Sequence, residues 1–280
     1  MRATAARHVV GALSIVLLSM NVSAEATLQE VRGARLYTQT FGNGAPLLFL
    51  HGGMHHFDNT FARQRDFFAA FRKVIGVDQR GHGRSPDTDA PLSYREMAED
   101  TAALIRTLGF GPVDVVGHSD GANVALLLAS RYPQLVRRVV VSGANLRAGQ
   151  SATELARRAA LPPEQIAERL AAFRADYVSV APDGAQHWPI FAAKSWKLWL
   201  TPVVIEPAEL TAIKAPVLVL AGDHDLTPPE ETLEIYRGLA MGQLMILPAT
   251  GHDTFGERAG IVNAAIRTFL EAPDAEKRVP

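Results

Sequence analysis

The chain has 280 residues, of which 48% are hydrophobic and 20% are charged, with 28 Lys and Arg residues against 29 Asp and Glu residues. This composition excludes a disordered chain, and the formal net charge of −1 leaves no basic surface of the kind that binds nucleic acid. Cysteine is absent, which excludes disulfides, thiolate metal sites, a cysteine nucleophile and a lipidated N-terminal cysteine. We therefore expect a soluble globular protein that is long enough to bury a full core.

Residues 1–24 have the three-part layout of a secretory signal peptide. Arg2 and Arg7 precede an apolar run at residues 9–20, and Val22-Ser23-Ala24 supplies the small residues of a cleavage site. The run has about 12 residues, fewer than the roughly 20 that span a bilayer. An uncleaved anchor is the alternative. Because no Arg-Arg pair is present, we predict Sec-type export to the periplasm or the cell exterior, with no stable membrane insertion after cleavage.

After this segment, short β-rich runs alternate with helical patterns, which is typical of a mostly parallel sheet flanked by helices. The first two runs predict an antiparallel pair that turns at Gly33, and the others are nearly continuous apolar stretches, as in strands covered on both faces. The predicted strands cover residues 27–32, 34–41, 46–50, 74–77, 113–116, 136–141, 217–220 and 244–247. Helical periodicity appears at residues 94–108, 122–131, 230–237 and 258–269.

Residues 146–209, between the sixth and seventh predicted strands, have no strand-like run. They carry helical patterns at residues 152–160, 164–177 and 188–200, and they contain all three tryptophans, Trp188, Trp196 and Trp199. We predict that this segment is a helical cap inserted into one α/β core. The core then consists of residues 25–145 and 210–272, followed by a polar tail at residues 273–280.

A G-x-S-x-G pentapeptide, Gly117-His118-Ser119-Asp120-Gly121, joins the fifth predicted strand to an apolar helix. A serine on such a sharp turn has strained backbone, and the flanking glycines let the strand and the helix approach closely. The alternative is an ordinary turn in which the serine caps the helix. We predict that Ser119 is a nucleophile, which needs a general base because a serine hydroxyl reacts poorly at neutral pH.

The base and its supporting acid are predicted in loops after the last two strands. His252 follows the eighth predicted strand, and Asp223 and Asp225 follow the seventh. Loops at the carboxyl edge of a parallel sheet meet on one face, so these side chains should converge on Ser119. The order along the chain is serine, aspartate, histidine. The aspartate would hold the histidine tautomer and stabilise the imidazolium that forms when Ser119 loses its proton.

Four sequence blocks carry a resemblance to the lid-bearing α/β-hydrolases over roughly residues 28 to 271. The blocks are Leu50-His51-Gly52-Gly53, Asp78-Gln79-Arg80-Gly81-His82-Gly83-Arg84-Ser85, Gly117-His118-Ser119-Asp120-Gly121, and Gly222-Asp223-His224-Asp225 with Gly251-His252. The resemblance implies a mostly parallel eight-stranded sheet with a cap after the sixth strand. The family pattern G-x-x-D selects Asp225 as the acid, with Asp223 as the alternative. The G-x-S-D-G motif is similar to that of the biphenyl-hydrolase-like and valacyclovir-hydrolase group, whose members cleave amino-acid esters.

An acyl-transfer site also needs two backbone N–H groups aimed at the developing oxyanion. One donor should be the N–H of Asp120, the residue after the nucleophile. The other should come from the loop after His51-Gly52, either from Gly53 or, one residue later, from Met54.

Other candidate residues have weaker signals. The Asp120 carboxylate either favours the helix N-terminus through the helix dipole or receives a substrate ammonium group. His55 is expected at the pocket entrance, and Trp188 and Trp196 either pack inside the cap or contact substrate. His51, His55 and His56 match no zinc motif, so we predict no metal and no cofactor.

The sequence thus predicts a serine hydrolase that cleaves a carboxylic ester of a small molecule through an acyl-enzyme. Lactone hydrolysis, carbon–carbon bond hydrolysis, amide or peptide cleavage and cofactor-free perhydrolysis are alternatives on the same scaffold. A non-catalytic ligand-binding module is the alternative from another class of protein. Dehalogenases and epoxide hydrolases of this fold use an aspartate nucleophile, so Ser119 argues against both.

Overall fold

A computed structural model describes residues 25–149 and 151–273. The predicted signal peptide, residues 1–24, and the tail beyond residue 273 lie outside the described residues. Eight strands form one sheet in the order β1-β2-β4-β3-β5-β6-β7-β8. They are β1 Glu25–Val31, β2 Ala34–Phe41, β3 Pro46–Leu50, β4 Lys73–Val77, β5 Val113–His118, β6 Val136–Ser142, β7 Val217–Gly222 and β8 Gly242–Leu247. The β1–β2 and β2–β4 pairs are antiparallel and the other pairs are parallel, which confirms the predicted fold class.

The α-helices of the described residues are α1 Phe57–Phe68, α2 Tyr94–Thr107, α3 Asp120–Arg131, α4 Ala152–Ala159, α5 Pro163–Arg169, α6 Arg174–Val180, α7 Trp188–Trp199, α8 Pro207–Ala212, α9 Pro229–Gly238, α10 Thr254–Glu257 and α11 Ala259–Glu271. Helices α2, α3, α8 and α9 pack in the apolar cluster on one face of the sheet. Helices α1, α10 and α11 pack in the cluster on the other face. Both faces of the sheet are therefore covered.

The covering on both faces accounts for the continuous apolar runs. Side chains alternate between the two faces along a strand. Accordingly, Val115 and Val116 of β5 belong to different apolar clusters, although both are fully buried. A strand covered on both sides cannot alternate apolar with polar residues without burying polar groups, so its sequence reads as an unbroken apolar run.

The sequence prediction of the helices needs correction. Helices α1, α8 and α10 were not predicted, although the buried residues of α1 recur at spacings of three and four, at Phe57, Phe61, Gln64 and Phe68. The helix predicted at residues 164–177 is two helices, α5 and α6, joined by a 3₁₀ turn at Ala171–Phe173. The apolar side chains continue across this turn at spacings of three and four residues, so their pattern does not reveal the break.

The cap formed by helices α4 to α7 has its own apolar cluster, which includes Tyr177, Trp188, Phe191 and Trp196. Met54, from the loop after β3, is the residue of the core that enters this cluster. At the base of the cap, Arg147 and Val203 pair as an isolated antiparallel bridge, so the chain enters and leaves the cap side by side. The cap therefore lies over the edge of the sheet where β3 ends. Across residues 25–149 and 151–273, no helix has the length and apolar character needed to cross a membrane.

Candidate active site

Ser119 lies on the turn between β5 and α3 in a backbone conformation that is rare for a residue with a side chain. Its φ is 52° and its ψ is −119°, and non-glycine residues in such regions cost about 1–3 kcal/mol each. The turn is held in place because the Ser119 N–H donates to the Ser142 carbonyl at the end of β6, at 2.8 Å. The strained turn places Ser119 on the wall of a cavity.

Gly117 and Gly121 permit the close contacts that this turn requires. A Cβ added to Gly117 would lie 2.4 Å from the Gly121 carbonyl oxygen, and one added to Gly121 would lie 2.0 Å from the Leu50 carbonyl oxygen. Real Cβ atoms essentially never approach other atoms to less than 3.0 Å. Both glycines of the G-x-S-x-G pattern are therefore required sterically, by backbone atoms that cannot move away.

The structure brings His252 against Asp225. The Nδ1 atom of His252 lies 2.6 Å from Oδ1 of Asp225, whose side chain is completely buried. Burial alone would raise the pKa of Asp225, but the hydrogen bond and charge of His252, together with the Thr227 N–H, lower it below its usual value. Asp225 is thus an anion that accepts a hydrogen bond from Nδ1–H of His252, which leaves Nε2 as the basic nitrogen.

The competing aspartate, Asp223, has a different role. It is exposed, and its Oδ1 accepts a hydrogen bond from the Thr250 N–H at 3.0 Å. It has no hydrogen bond to His252 in the part of the chain that the structure describes. Asp223 therefore shapes the loop that follows β7, and the geometry assigns the contact with His252 to Asp225.

The position of the His252 ring depends on Gly143 and His118. Gly143 has a φ of 67°, and a Cβ there would lie 2.6 Å from Cε1 of His252. His118 is buried beneath the ring, 4.9 Å away between centroids, and its Nε2 lies 2.9 Å from the His252 carbonyl oxygen. Burial and the nearby His252 lower the pKa of His118 to about 4. His118 is therefore neutral at neutral pH and donates its Nε2–H to that carbonyl.

Ser119 and His252 line one cavity of about 390 Å³ between the core and the cap. Of the other predicted site residues, Gly53, His55 and Asp120 also line it. Trp188 and Trp196 do not line it; both are buried in the apolar cluster of the cap, which is the packing alternative of the two given for them. The tryptophan that reaches the cavity is Trp199. It is the last residue of α7 and lies where the cap meets the core.

Of the candidate oxyanion donors, Gly53 and Asp120 lie at the cavity wall and Met54 does not. Asp120 is the first residue of α3, so its N–H has no partner within the helix. Gly53 has no room for a side chain, because a Cβ would lie 2.3 Å from Oδ2 of Asp120 and 2.9 Å from Trp199. Met54 adopts a φ of 64° and directs its side chain into the cap cluster.

The Asp120 carboxylate is buried and both of its oxygens have donors. Oδ1 accepts from the Tyr94 hydroxyl at 2.7 Å, and Oδ2 accepts from Nε1 of Trp199 at 2.8 Å. Burial raises the pKa of Asp120 above its usual value, although these two hydrogen bonds oppose the shift. Asp120 therefore links α2 of the core to α7 of the cap. It offers no unshared oxygen to a substrate ammonium group.

The clustered histidines and the charged turn after β4 have structural partners. Nε2 of His51 accepts from the Gln79 N–H at 2.9 Å, and burial lowers the pKa of His51 well below its usual value. Arg80 makes two hydrogen bonds to the Asp100 carboxylate. His55 packs edge-on against Phe173 of the cap. Within the described ranges, no group of three or more histidine, aspartate or glutamate side chains is arranged to hold a metal ion.

Tyr94 and Arg158 are among the residues of the cavity wall that sequence reasoning missed. Tyr94 begins α2, and nothing in its local sequence indicates a partner in α3. Arg158 resembles an ordinary basic residue near the end of a surface helix, a position favoured by the helix dipole. The packing of α2 on α3 brings Tyr94 to the cavity, and the packing of the cap on the core brings Arg158 there.

Comparisons with known proteins agree with this architecture. A family model described as the alpha/beta hydrolase family matches residues 47–265. An (E)-2-((N-methylformamido)methylene)succinate hydrolase from Acinetobacter baylyi is 25% identical over 274 residues, which are 89% of this chain and 98% of the relative. Serine hydrolase BPHL from Mus musculus is 37% identical over 120 residues, which are 41% of each chain.

Solved structures share the fold. A thermophilic esterase from Thermogutta terrifontis superposes with a TM-score of 0.69 at 24% identity, covering 89% of this chain and 98% of that chain. The family model covers well over half of the sequence and includes Ser119, Asp225 and His252. The chain therefore belongs to the alpha/beta hydrolase family.

Proposed function

We propose that this protein is a serine hydrolase that cleaves a carboxylic ester of a small molecule through an acyl-enzyme. The observation that carries the proposal is the contact between His252 and the buried, ionised Asp225, with Ser119 on a strained turn of the same cavity. A nucleophile, a base and an oriented anion are the three groups that this chemistry requires.

In the proposed reaction, Nε2 of His252 takes the hydroxyl proton of Ser119 as Oγ attacks the carbonyl carbon of the substrate. The carbonyl oxygen becomes an oxyanion that accepts hydrogen bonds from the N–H groups of Gly53 and Asp120. The intermediate then breaks its bond to the alcohol oxygen, which leaves with the proton held by His252. Water repeats the sequence on the acyl-enzyme and releases the acid. Throughout, Asp225 stabilises the imidazolium.

Ester hydrolysis is tested first by replacing the nucleophile. With p-nitrophenyl acetate and butyrate, a lactone and an amino-acid ester as substrates, Ser119→Ala should lower kcat by at least about a thousandfold with an unchanged melting temperature. Ser179→Ala is the control, because Ser179 lies exposed in α6 and away from the cavity. Hydrolysis that survives in purified Ser119→Ala would contradict the proposal, and the substrate that is turned over fastest identifies the bond class.

A further inference from the structure

We infer that the cavity accepts a substrate that carries a carboxylate, and that Arg158 of the cap binds it. This inference rests on the proposed function, because it describes the part of the substrate that remains away from Ser119.

The guanidinium of Arg158 is held in a defined position. Its central carbon lies 4.4 Å from the centroid of the Trp196 ring. The same tryptophan donates its Nε1–H to the Arg158 backbone carbonyl at 2.9 Å. Trp196 is buried in the cap, so it serves as a fixed platform for the arginine. A stacked guanidinium keeps its edge free for hydrogen bonds in one plane.

Arg158 forms no ion pair with any residue in the described part of the chain. The acid closest to it along α4 is Glu154, which is engaged by Arg157 through two hydrogen bonds of 2.7 and 2.8 Å. Arg147, the other arginine of the cavity wall, pairs with Glu234. Arg158 is thus the guanidinium of the cavity wall that has no carboxylate partner among the described residues.

The remaining carboxylates of the cavity wall are already satisfied. Asp120 accepts from Tyr94 and Trp199. Glu231 accepts from the N–H groups of Leu146 and Arg147, at 2.6 and 3.1 Å. Neither is paired with Arg158, and neither is left without donors.

A planar guanidinium with free N–H groups matches a carboxylate in a two-point hydrogen bond, and such charge-assisted pairs are stronger than neutral ones. Arg158 and Ser119 line the same cavity of about 390 Å³, so one small molecule can occupy both positions. The geometry therefore points to an ester of an organic acid with a second acidic group, or to an ester whose alcohol portion carries a carboxylate.

Two matched substrate pairs test the inference. In the first pair, monomethyl glutarate carries a carboxylate on the acyl side of the ester, and methyl glutaramate carries a neutral amide at the same place. In the second pair, meta-acetoxybenzoate carries the carboxylate on the alcohol side, and meta-acetoxybenzamide carries the amide there. The wild type should prefer the acid in at least one pair by about tenfold or more in kcat/KM, as expected for a hydrogen-bonded charge. Arg158→Gln should abolish that preference.

Arg157→Gln is the control, since it removes the same charge from the same helix. The Arg157 side chain is 64% exposed, pairs with Glu154 and lies outside the cavity. It should retain the preference for the acid. If Arg158→Gln keeps the preference, or if Arg157→Gln loses it equally, the inference is overturned.

A binding measurement separates this inference from the proposed function. Isothermal titration of glutarate and meta-hydroxybenzoate into Ser119→Ala requires no turnover. Binding of one of these acids should be about tenfold weaker or more when Arg158→Gln is added. If Ser119→Ala still hydrolyses esters, the proposed function fails while carboxylate binding can still be measured. If Ser119 proves essential but neither acid binds through Arg158, the inference fails alone.

Discussion

The floor of the site, made of Ser119, Asp225 and His252, differs in construction from its roof, made of Arg158, Phe173 and Trp199 of the cap. Each floor residue lies on a short turn at the carboxyl end of a strand. Its position follows from backbone contacts, such as the Ser119 N–H on the Ser142 carbonyl. Roof residues are held by side chains that reach across from one part of the chain to another, as Trp199 reaches Asp120.

The attachment of the cap to the core is likewise polar at its margin. The Asp87 carboxylate, 3% exposed, accepts from Nε2 of His187 and from Nζ of Lys194, each at 2.8 Å. Its own N–H donates to Asp183 of the cap at 2.9 Å. The reactive geometry is therefore fixed locally, whereas the shape of the substrate space depends on how the cap packs on the core.

Among the floor residues other than Ser119, the largest loss of kcat is expected from Asp225→Asn. The amide keeps the shape of the side chain but cannot hold the tautomer or stabilise the imidazolium, so kcat should fall by about a thousandfold to ten-thousandfold. Asp223→Asn is the matched control, and its kcat should change by less than about threefold, because Asp223 contacts Thr250 rather than His252. Equal losses in the two variants would show that the acid is misassigned.

A smaller effect is expected from Gly143→Ala. The new methyl group would meet the His252 ring at 2.6 Å, so the ring must turn away from Ser119 or Asp225. We expect kcat/KM to fall by about tenfold to a hundredfold, the range for a misplacement of about 1 Å.

Gly109→Ala controls for backbone strain in this experiment. Gly109 has the same φ of 67°, and a Cβ there meets no atom within 4 Å. It should lose stability but not activity. A normal rate in folded Gly143→Ala would mean that the His252 ring does not need its observed position.

The smallest effect, a loss of stability, is expected from Asp87→Asn, which weakens the attachment of the cap to the core. Burial alone would raise the pKa of Asp87, but hydrogen bonds from Lys194, His187 and the Thr88 N–H lower it below 3.8. The ionised form is therefore the one that stabilises the fold. That stabilisation is complete above pH 3.8 and is lost as the pH falls through the folded-state value.

Urea unfolding checks this prediction. At pH 7 the free energy of unfolding of Asp87→Asn should be lower by about 1–2 kcal/mol, and the difference from wild type should shrink below about pH 4. Asp89→Asn, in the same loop but exposed, should match the wild type. A deficit in Asp87→Asn that stays constant into acid would contradict the role of the charge.

The same contrast explains what the sequence could and could not predict. Ser119, His252 and Asp225 could be identified from the sequence because each lies in a turn that follows a strand within a few residues. Trp199 was named with Trp188 and Trp196, but only its position at the end of α7 brings it to the cavity. Which face of a cap helix meets the core depends on contacts between distant segments, and hydrophobic periodicity carries no information about them.

Arg158 shows the same limit. Its neighbour Arg157 has the same side chain on the same helix. Arg157 forms an exposed ion pair with Glu154, whereas Arg158, one residue further along the helix, lies at the cavity wall. The break between α5 and α6 also escaped prediction, because a 3₁₀ turn preserves the apolar spacing.

The most direct test of the account is the covalent labelling of Ser119 by a fluorophosphonate. The serine oxygen forms a bond to phosphorus and fluoride leaves, which requires the same activation as attack on an ester. We predict that one equivalent of label attaches to the peptide that contains Ser119 and that esterase activity falls in proportion. Full activity after labelling, or a label on another residue in active protein, would contradict the central claim that Ser119 is the nucleophile.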